Sequence, residues 1–131
     1  MSRRMCYISA RFAQQPEMRT IAKRITAMGH AVCSGWLSQR TTEPQTRAAK
    51  RRIARRDVTD VLRADLVIAD FSIEARGGRE VEWGIAIAKH IECWSVANTA
   101  NQGNVFTALS REFDSWDDAL AALAAQTGRA A

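Results

Sequence analysis

Two glutamates, Glu80 and Glu82, follow a pair of glycines, Gly77 and Gly78, in the middle of the chain. Paired glycines let the backbone approach a ligand closely, and the free N–H groups at a helix start favour an anion. A carboxylate beside such a turn can attack an electrophilic carbon or stabilise positive charge that develops there. Two positions on a helix differ by roughly 200° of rotation, so only one glutamate faces the turn. Geometry alone does not choose between them.

The glycine turn lies between a strand-like run, 65–70, and a helix-like run, 79–90. A strand, a turn and a helix form one half of a βαβ unit, and ligands bind at the carboxyl ends of strands in open α/β sheets. The turn is therefore expected at a ligand-binding edge.

The same alternation runs along the whole chain. Strands are predicted at 5–9, 30–34, 65–70, 91–96 and 112–114, helices at 16–28, 46–63, 79–90 and from 115, and a short helical turn at 104–109. This pattern predicts one α/β domain over residues 1–131, with a five-stranded, mainly parallel sheet between two helical layers, of the flavodoxin-like or Rossmann-like type. The tail, 128–131, is expected to fray.

Further polar and aromatic residues follow the first two predicted strands. Ser9 and Arg11 end the first strand, and Trp36 follows the second. Arginine and glycine N–H groups suit a phosphate, and tryptophan can stack on a base. Together with the glutamates, this set predicts chemistry on a nucleotide.

Composition restricts the class of protein. The 131 residues are 47% hydrophobic and 25% charged, as in an ordinary globular domain. Three cysteines without metal-like spacing predict reduced thiols and a cytoplasmic protein. No apolar run has the length of a membrane span, so a membrane partner is not expected. Neither a metal nor another cofactor is implied.

The net charge of +5 is concentrated in one segment. Residues 40–56 contain seven basic residues and one acidic residue, a local charge of +6. Such a run can be a solvated helix face, a funnel for anionic substrates or a nucleic-acid contact. Without interleaved aromatic residues or a DNA-binding motif, the sequence argues against nucleic acid as the partner.

Several of these motifs occur together in a known family. The chain has Arg56-Asp57, Ala64-Asp65 opening a strand, the glycine turn, and Glu82-Trp83-Gly84-Ile85-Ala86. In this order they resemble the nucleoside 2-deoxyribosyltransferase superfamily, which includes 2′-deoxynucleoside 5′-monophosphate N-glycosidases. The resemblance extends from about residue 5 to residue 123 and includes short bacterial and phage relatives.

The resemblance implies roles for individual residues. Glu82 matches the nucleophile of the family and Asp57 its second carboxylate. The sugar and phosphate would be held by a further set, Ser9, Arg11, Gly77 and Gly78, with Asn104 as a looser candidate from a shared Asn-Val-Phe motif. The implied reaction is attack on C1′, loss of the base, and capture of the glycosyl-enzyme by water or a second base. A homodimer or larger oligomer is also implied.

One departure from the family pattern bears on the substrate. Many transferases have a carboxylate six residues before the nucleophile, where this chain has Arg76. A basic residue there favours a nucleoside 5′-monophosphate over a free nucleoside. A second family, the cytokinin-activating nucleotide phosphoribohydrolases, is disfavoured because its glutamate lies farther from the glycine pair. A non-catalytic nucleotide-binding module is the alternative that the sequence leaves open.

Overall fold

The computed structural model describes residues 3–40, 46–74, 77–98 and 104–127. The strands in these ranges are β1 (Met5–Ser9), β2 (Ala31–Val32), β3 (Leu66–Asp70), β4 (Glu92–Val96) and β5 (Arg111–Phe113). The α-helices are α1 (Gln15–Ala27), α2 (Arg47–Arg63), α3 (Gly78–Ala88) and α4 (Trp116–Thr127). Short 3-10 helices occupy Phe12–Gln14, Gly35–Ser38 and Val105–Leu109. The tail predicted to fray, 128–131, lies outside the described residues.

The five strands form one sheet in the order β2-β1-β3-β4-β5, and every neighbouring pair is parallel. Helix α1 packs with α4, and α2 packs with α3. The predicted three-layer α/β fold is confirmed. The chain leaves β1 towards β2 but leaves β3 towards β4, so the connections diverge between β1 and β3. Ligands bind at such a divergence, outside the carboxyl ends of the two strands.

The centre of the sheet is almost completely buried. Every residue of β3 is buried, as are four of the five in β1 and in β4. Continuous apolar strands are typical of parallel sheets covered by helices on both faces. Within the described ranges, none of the helices combines the length and the hydropathy needed to cross a membrane.

Strand β2 is shorter than the sequence predicts, because only Ala31–Val32 forms ladder pairs instead of 30–34. The backbone N–H of Ile8 donates to the hydroxyl of Ser34 at 2.7 Å. A side chain therefore replaces the backbone carbonyl that would have continued the ladder. At the other edge, β5 begins and ends one residue before the predicted 112–114.

The ends of the helices follow local chemistry. The hydroxyl of Thr46 accepts a hydrogen bond from Ala49 N at 3.1 Å and caps α2. Gly29 follows α1 with a φ of 96°, as expected for the C′ position. Ser115 caps α4 by accepting from Asp118 N at 3.1 Å. Thr46 lies just outside α2, although the sequence places it as the first residue of that helix.

Two residues fix the chain between β3 and α3. Gly77, at the N-cap of α3, has a φ of 106°, a left-handed conformation that other residues adopt only with strain. Asp70, at the end of β3, is 1% exposed. Its carboxylate accepts from Trp116 Nε1 at 2.7 Å and from Ser72 N at 2.9 Å. This edge of the sheet is thereby tied to α4 on the opposite helical layer.

Candidate active site

The carboxylate of Glu82 is held between two hydroxyl groups from β1. Its Oε1 accepts from Ser9 Oγ at 2.7 Å, and its Oε2 accepts from the hydroxyl of Tyr7. Both donors are 0% exposed. Because each oxygen accepts its own hydrogen bond, the rotamer of the carboxylate is fixed at the junction between the sheet and α3.

The geometry of β1 explains why these two residues act together. Side chains two positions apart on a strand lie on the same face of the sheet, so Tyr7 and Ser9 both face α3. Glu82 lies in the second turn of α3, on the side of the helix that packs on β1 and β3. The contact therefore forms because Tyr7 and Ser9 point from β1 towards α3 and Glu82 points from α3 towards β1.

The environment of Glu82 changes its acidity. Burial raises the pKa of this carboxyl from 4.5 to about 7, against the opposing effect of the hydrogen bonds from Tyr7 and Ser9. The group therefore titrates close to neutral pH, with a substantial ionised fraction available as a nucleophile. Burial, together with the charge of Glu82, raises the pKa of the Tyr7 phenol, so Tyr7 remains a neutral donor.

Asp57, on α2, lies within electrostatic reach of the same centre, since its charge raises the pKa of Glu82. Its Oδ1 accepts from Arg56 Nε at 3.1 Å and from Arg56 Nη2 at 2.8 Å. Burial raises the pKa of Asp57, and the Arg56 guanidinium opposes that change. The site thus contains two carboxylates whose protonation depends on each other.

Glu80 is placed on the other side of α3. Its Oε1 accepts from Arg79 Nε at 3.0 Å and Nη2 at 2.7 Å. The Arg79 guanidinium is itself buried, donates to the carbonyls of Asp70 and Ile73, and lies 4.2 Å from the centre of the Phe71 ring. Glu80 therefore belongs to a structural ion pair and Glu82 to the edge where β1 ends.

The residues predicted to bind a phosphate surround the start of α3 and the end of β1. Gly77 and Gly78 form the N-terminus of α3, and a Cβ added to either would meet no atom within 4 Å. Arg11 is exposed just after β1, where its backbone N–H donates to Gln14 Oε1 at 3.1 Å. Arg76 lies outside the described residues.

Two other candidates occupy different surroundings. Trp36 is 6% exposed, and its Nε1 donates to the carbonyl of Ile8 at 2.7 Å, which places most of its ring in the core. Asn104 caps the 3-10 helix Val105–Leu109, with Oδ1 accepting from Phe106 N at 2.9 Å. It lines the same groove as Glu80, away from the Tyr7–Glu82 contact.

That groove is a mainly apolar cavity of about 600 Å³ between α3 and the 3-10 helix. Its lining comprises Glu80, Trp83, Gly84, Ile87, Ala88, Asn104, Val105 and Phe106. In the part of the chain that the structure describes, no cluster of three or more acidic, histidine or cysteine side chains is arranged to hold a metal ion.

The sequence predicts neither Tyr7 nor Arg56 as a site residue, and Arg56 stands out only as the residue before Asp57 in the motif shared with the family. The available signal for Tyr7 was its spacing, because an aromatic hydroxyl two positions before Ser9 must share its face of the sheet. For Arg56 the signal was the Arg56-Asp57 motif, which does not by itself predict a contact, since neighbouring residues on a helix do not face each other.

Comparison with known proteins agrees with this architecture. The sequence profile described as nucleoside 2-deoxyribosyltransferase matches residues 7–116. Comparison with curated protein sequences gives no match.

Several solved structures share the fold. A conserved protein from Enterococcus faecalis V583 superposes with a TM-score of 0.70 at 18% identity, over 95% of this chain and 99% of that one. The 2-deoxyribosyltransferase of Bacillus psychrosaccharolyticus gives 0.71 at 18% identity, over 91% and 95%. The CMP N-glycosidase of Clostridium botulinum gives 0.60 at 15% identity, over 91% and 97%. Since the profile spans most of the chain, this protein belongs to the nucleoside 2-deoxyribosyltransferase family.

Proposed function

We propose that this protein cleaves or transfers the N-glycosidic bond of a (deoxy)nucleoside 5′-monophosphate, with Glu82 as the nucleophile. Family membership supports chemistry at an N-glycosidic bond. The main support for Glu82 is that it accepts hydrogen bonds from Tyr7 and Ser9 at the edge where ligands bind in this fold.

In the proposed reaction, the ionised carboxylate of Glu82 attacks C1′ of the sugar. The bond between C1′ and the base nitrogen breaks, and its electron pair leaves with the base. A proton delivered to the base makes it a better leaving group, and Asp57 or a group beside it is the donor. Water or a second base then attacks C1′ of the glycosyl-enzyme and releases Glu82.

The buried, hydrogen-bonded surroundings that give Glu82 a pKa of about 7 suit this role. A carboxylate that burial destabilises is more reactive than a solvated one, because part of its desolvation has already been paid in folding. Tyr7 and Ser9 meanwhile keep it oriented. Their bonds weaken when the negative charge moves from Glu82 to the departing base.

The preference for a monophosphate rests on the positive potential at this edge. The α3 N-terminus at Gly77 and Gly78 offers N–H groups and the positive end of a helix dipole. Arg11 is exposed nearby, and Arg76 is the basic residue that departs from the transferase pattern. We propose that these groups bind the 5′-phosphate.

We also propose that the protein acts as a homodimer that covers the apolar side of α3. Four side chains on this side are more than half exposed: Val81, Val105, Phe106 and Leu109. They flank the 600 Å³ groove, in which Glu80 Oε2 is buried without a hydrogen-bond partner among the described residues. A surface that has both protruding and concave apolar parts can pair with its own copy about a two-fold axis.

The compartment that we propose is the cytoplasm, where buried thiols such as those of Cys6, Cys33 and Cys93 remain reduced.

The catalytic proposal is tested by incubating the protein with a panel of nucleoside 5′-monophosphates and measuring free base by chromatography. Wild type and Glu80→Gln are expected to release base, whereas Glu82→Gln should lose turnover. Turnover that survives in Glu82→Gln would place the nucleophile elsewhere. Tight nucleotide binding without any base release would instead favour a nucleotide-binding or sequestering protein.

A further inference from the structure

The guanidinium of Arg56 connects two side chains beside the candidate site, Asp57 and Gln39. Its Nε and Nη2 donate to Asp57 Oδ1 at 3.1 and 2.8 Å. Its Nη2 also donates to Gln39 Oε1 at 2.7 Å. The Arg56 and Asp57 side chains are 32% and 26% exposed, so neither is fully solvated.

This contact is not a consequence of helix geometry. Adjacent residues on an α-helix point about 100° apart and do not face each other. Arg56 must therefore fold back along α2 to reach its neighbour. Gln39, which follows the 3-10 helix Gly35–Ser38, accepts from the same Nη2 that donates to Asp57 and so also holds the guanidinium.

The backbone at Gly35 closes the other side of this arrangement. Its N–H donates to Asp60 Oδ2 at 3.0 Å. A Cβ at this position would lie 2.8 Å from Asp60 Oδ2 and 3.0 Å from Arg56 Cδ. Only glycine lets the 3-10 helix approach α2 so closely, and the approach restricts the stem of Arg56 to its present path.

The two bonds to Asp57 end on the same oxygen. Among the described residues, Oδ2 of Asp57 has no hydrogen bond, so one oxygen is held and the other is available to a ligand. Neighbouring charges have opposite effects on the pKa of Asp57, since Asp60 raises it and Arg56 lowers it. Arg56 also lowers the pKa of Glu82.

We propose that Arg56 is a positioning residue that holds Asp57 by Oδ1 and presents Oδ2 to the substrate. Its consequence for turnover rests on the proposed function, whereas its hold on Asp57 does not. Arg56 acts through Asp57, and the flanking contacts of Gly35 and Gln39 keep it in place.

The test compares Arg56→Gln with Arg56→Lys and with a matched control, Arg55→Gln. Arg55 directly precedes Arg56 on α2, is exposed, and forms no ion pair among the described residues. Two quantities are measured: kcat and KM for a nucleoside 5′-monophosphate that the wild type cleaves, and the pKa of Asp57 by carboxyl ¹³C NMR. The melting temperature of each variant confirms that it folds.

Removal of a charge-assisted bond should lower kcat of Arg56→Gln by about tenfold or more. The pKa of Asp57 should rise in this variant, and Arg56→Lys should recover part of both effects because it keeps the charge. Arg55→Gln should match the wild type. The proposal is overturned if Arg56→Gln and Arg55→Gln agree in kcat and in the pKa of Asp57. If the wild type cleaves no nucleotide, the proposed function fails, and the NMR titration alone decides the role of Arg56.

Discussion

The hydroxyl of Tyr7 donates to Glu82 Oε2 across the interface between β1 and α3, although 75 positions separate the two residues in the chain. Together with Ser9, Tyr7 surrounds the carboxylate with neutral donors. Neutral donors stabilise the ionised form without cancelling its charge. These hydrogen bonds partly offset the effect of burial and favour the ionised form of Glu82, the form that the proposed reaction needs.

Replacing Tyr7 by Phe should move the pH dependence of turnover to higher pH. The hydrogen bond from Tyr7 lowers the pKa of Glu82, so its loss raises that pKa above about 7. In the proposed reaction turnover needs ionised Glu82, so the rate at pH 6 should fall by about tenfold for each pKa unit gained. The difference should shrink at pH 9. Base release measured from pH 5 to 9 provides the profile.

Ser9→Ala offers an independent check, since it removes the other donor and should shift the profile in the same direction. A Tyr7→Phe profile that coincides with the wild type would show that the phenol does not control the ionisation of Glu82.

The stability of the protein should depend on pH through the same carboxyl. Its pKa in the folded state, about 7, lies above the ordinary value of 4.5. The contribution of protonated Glu82 to the free energy of unfolding is therefore fully present below pH 4.5 and is lost as the pH rises through about 7. Ionisation in the folded state costs on the order of 3 kcal/mol when complete. Glu82→Gln does not ionise, so its melting temperature relative to the wild type should rise between pH 5 and about 7 and level off above that pH.

Thermal denaturation of both proteins over this range checks the prediction. Glu17→Gln, an exposed substitution on α1, is the control and should follow the wild type. A constant difference between Glu82→Gln and wild type at every pH would mean that Glu82 does not titrate near neutrality.

The fold was predictable because local signals agree along the chain. Buried parallel strands, the cap at Ser115 and the glycine at position 29 each mark an element from its own residues. The separation of Glu80 from Glu82 also follows from helix rotation alone. Helix rotation does not predict which of the two glutamates contacts β1, because this depends on how α3 packs on the sheet.

The less predictable features are those in which distant side chains meet. The Tyr7–Glu82 contact needs the register of β1 against β3 and the placement of α3 on both. The early end of β2 depends on the hydroxyl of Ser34 reaching Ile8 N. Asn104, predicted as a looser binding candidate, caps a 3-10 helix and lines the groove beside Glu80. In the proposed homodimer, this groove and Asn104 would lie at the interface with the second subunit.

Arg11→Ala should weaken the binding of nucleoside 5′-monophosphates and leave free nucleosides unaffected. Arg11 is exposed beside the carboxyl end of β1, and loss of one charge-assisted bond to a phosphate reduces affinity by about tenfold or more. Calorimetry with a monophosphate and its nucleoside measures the two affinities. Lys23→Ala, an exposed change on α1, controls for the general loss of positive charge. Equal losses for both ligands would place the phosphate away from Arg11.

Phe106→Asp should convert the proposed dimer into a monomer. Phe106 is 58% exposed, lines the groove against α3, and would be buried by a second copy. A carboxylate at the centre of an apolar interface must be desolvated without a partner, which costs several kcal/mol and outweighs the contacts that remain. Sedimentation velocity over a range of protein concentrations measures the association. Thr20→Asp, on the exposed side of α1 in the opposite helical layer, should leave the dimer intact. A wild-type protein that sediments as a monomer at every concentration, or a Phe106→Asp variant that remains dimeric, would exclude this face as the interface.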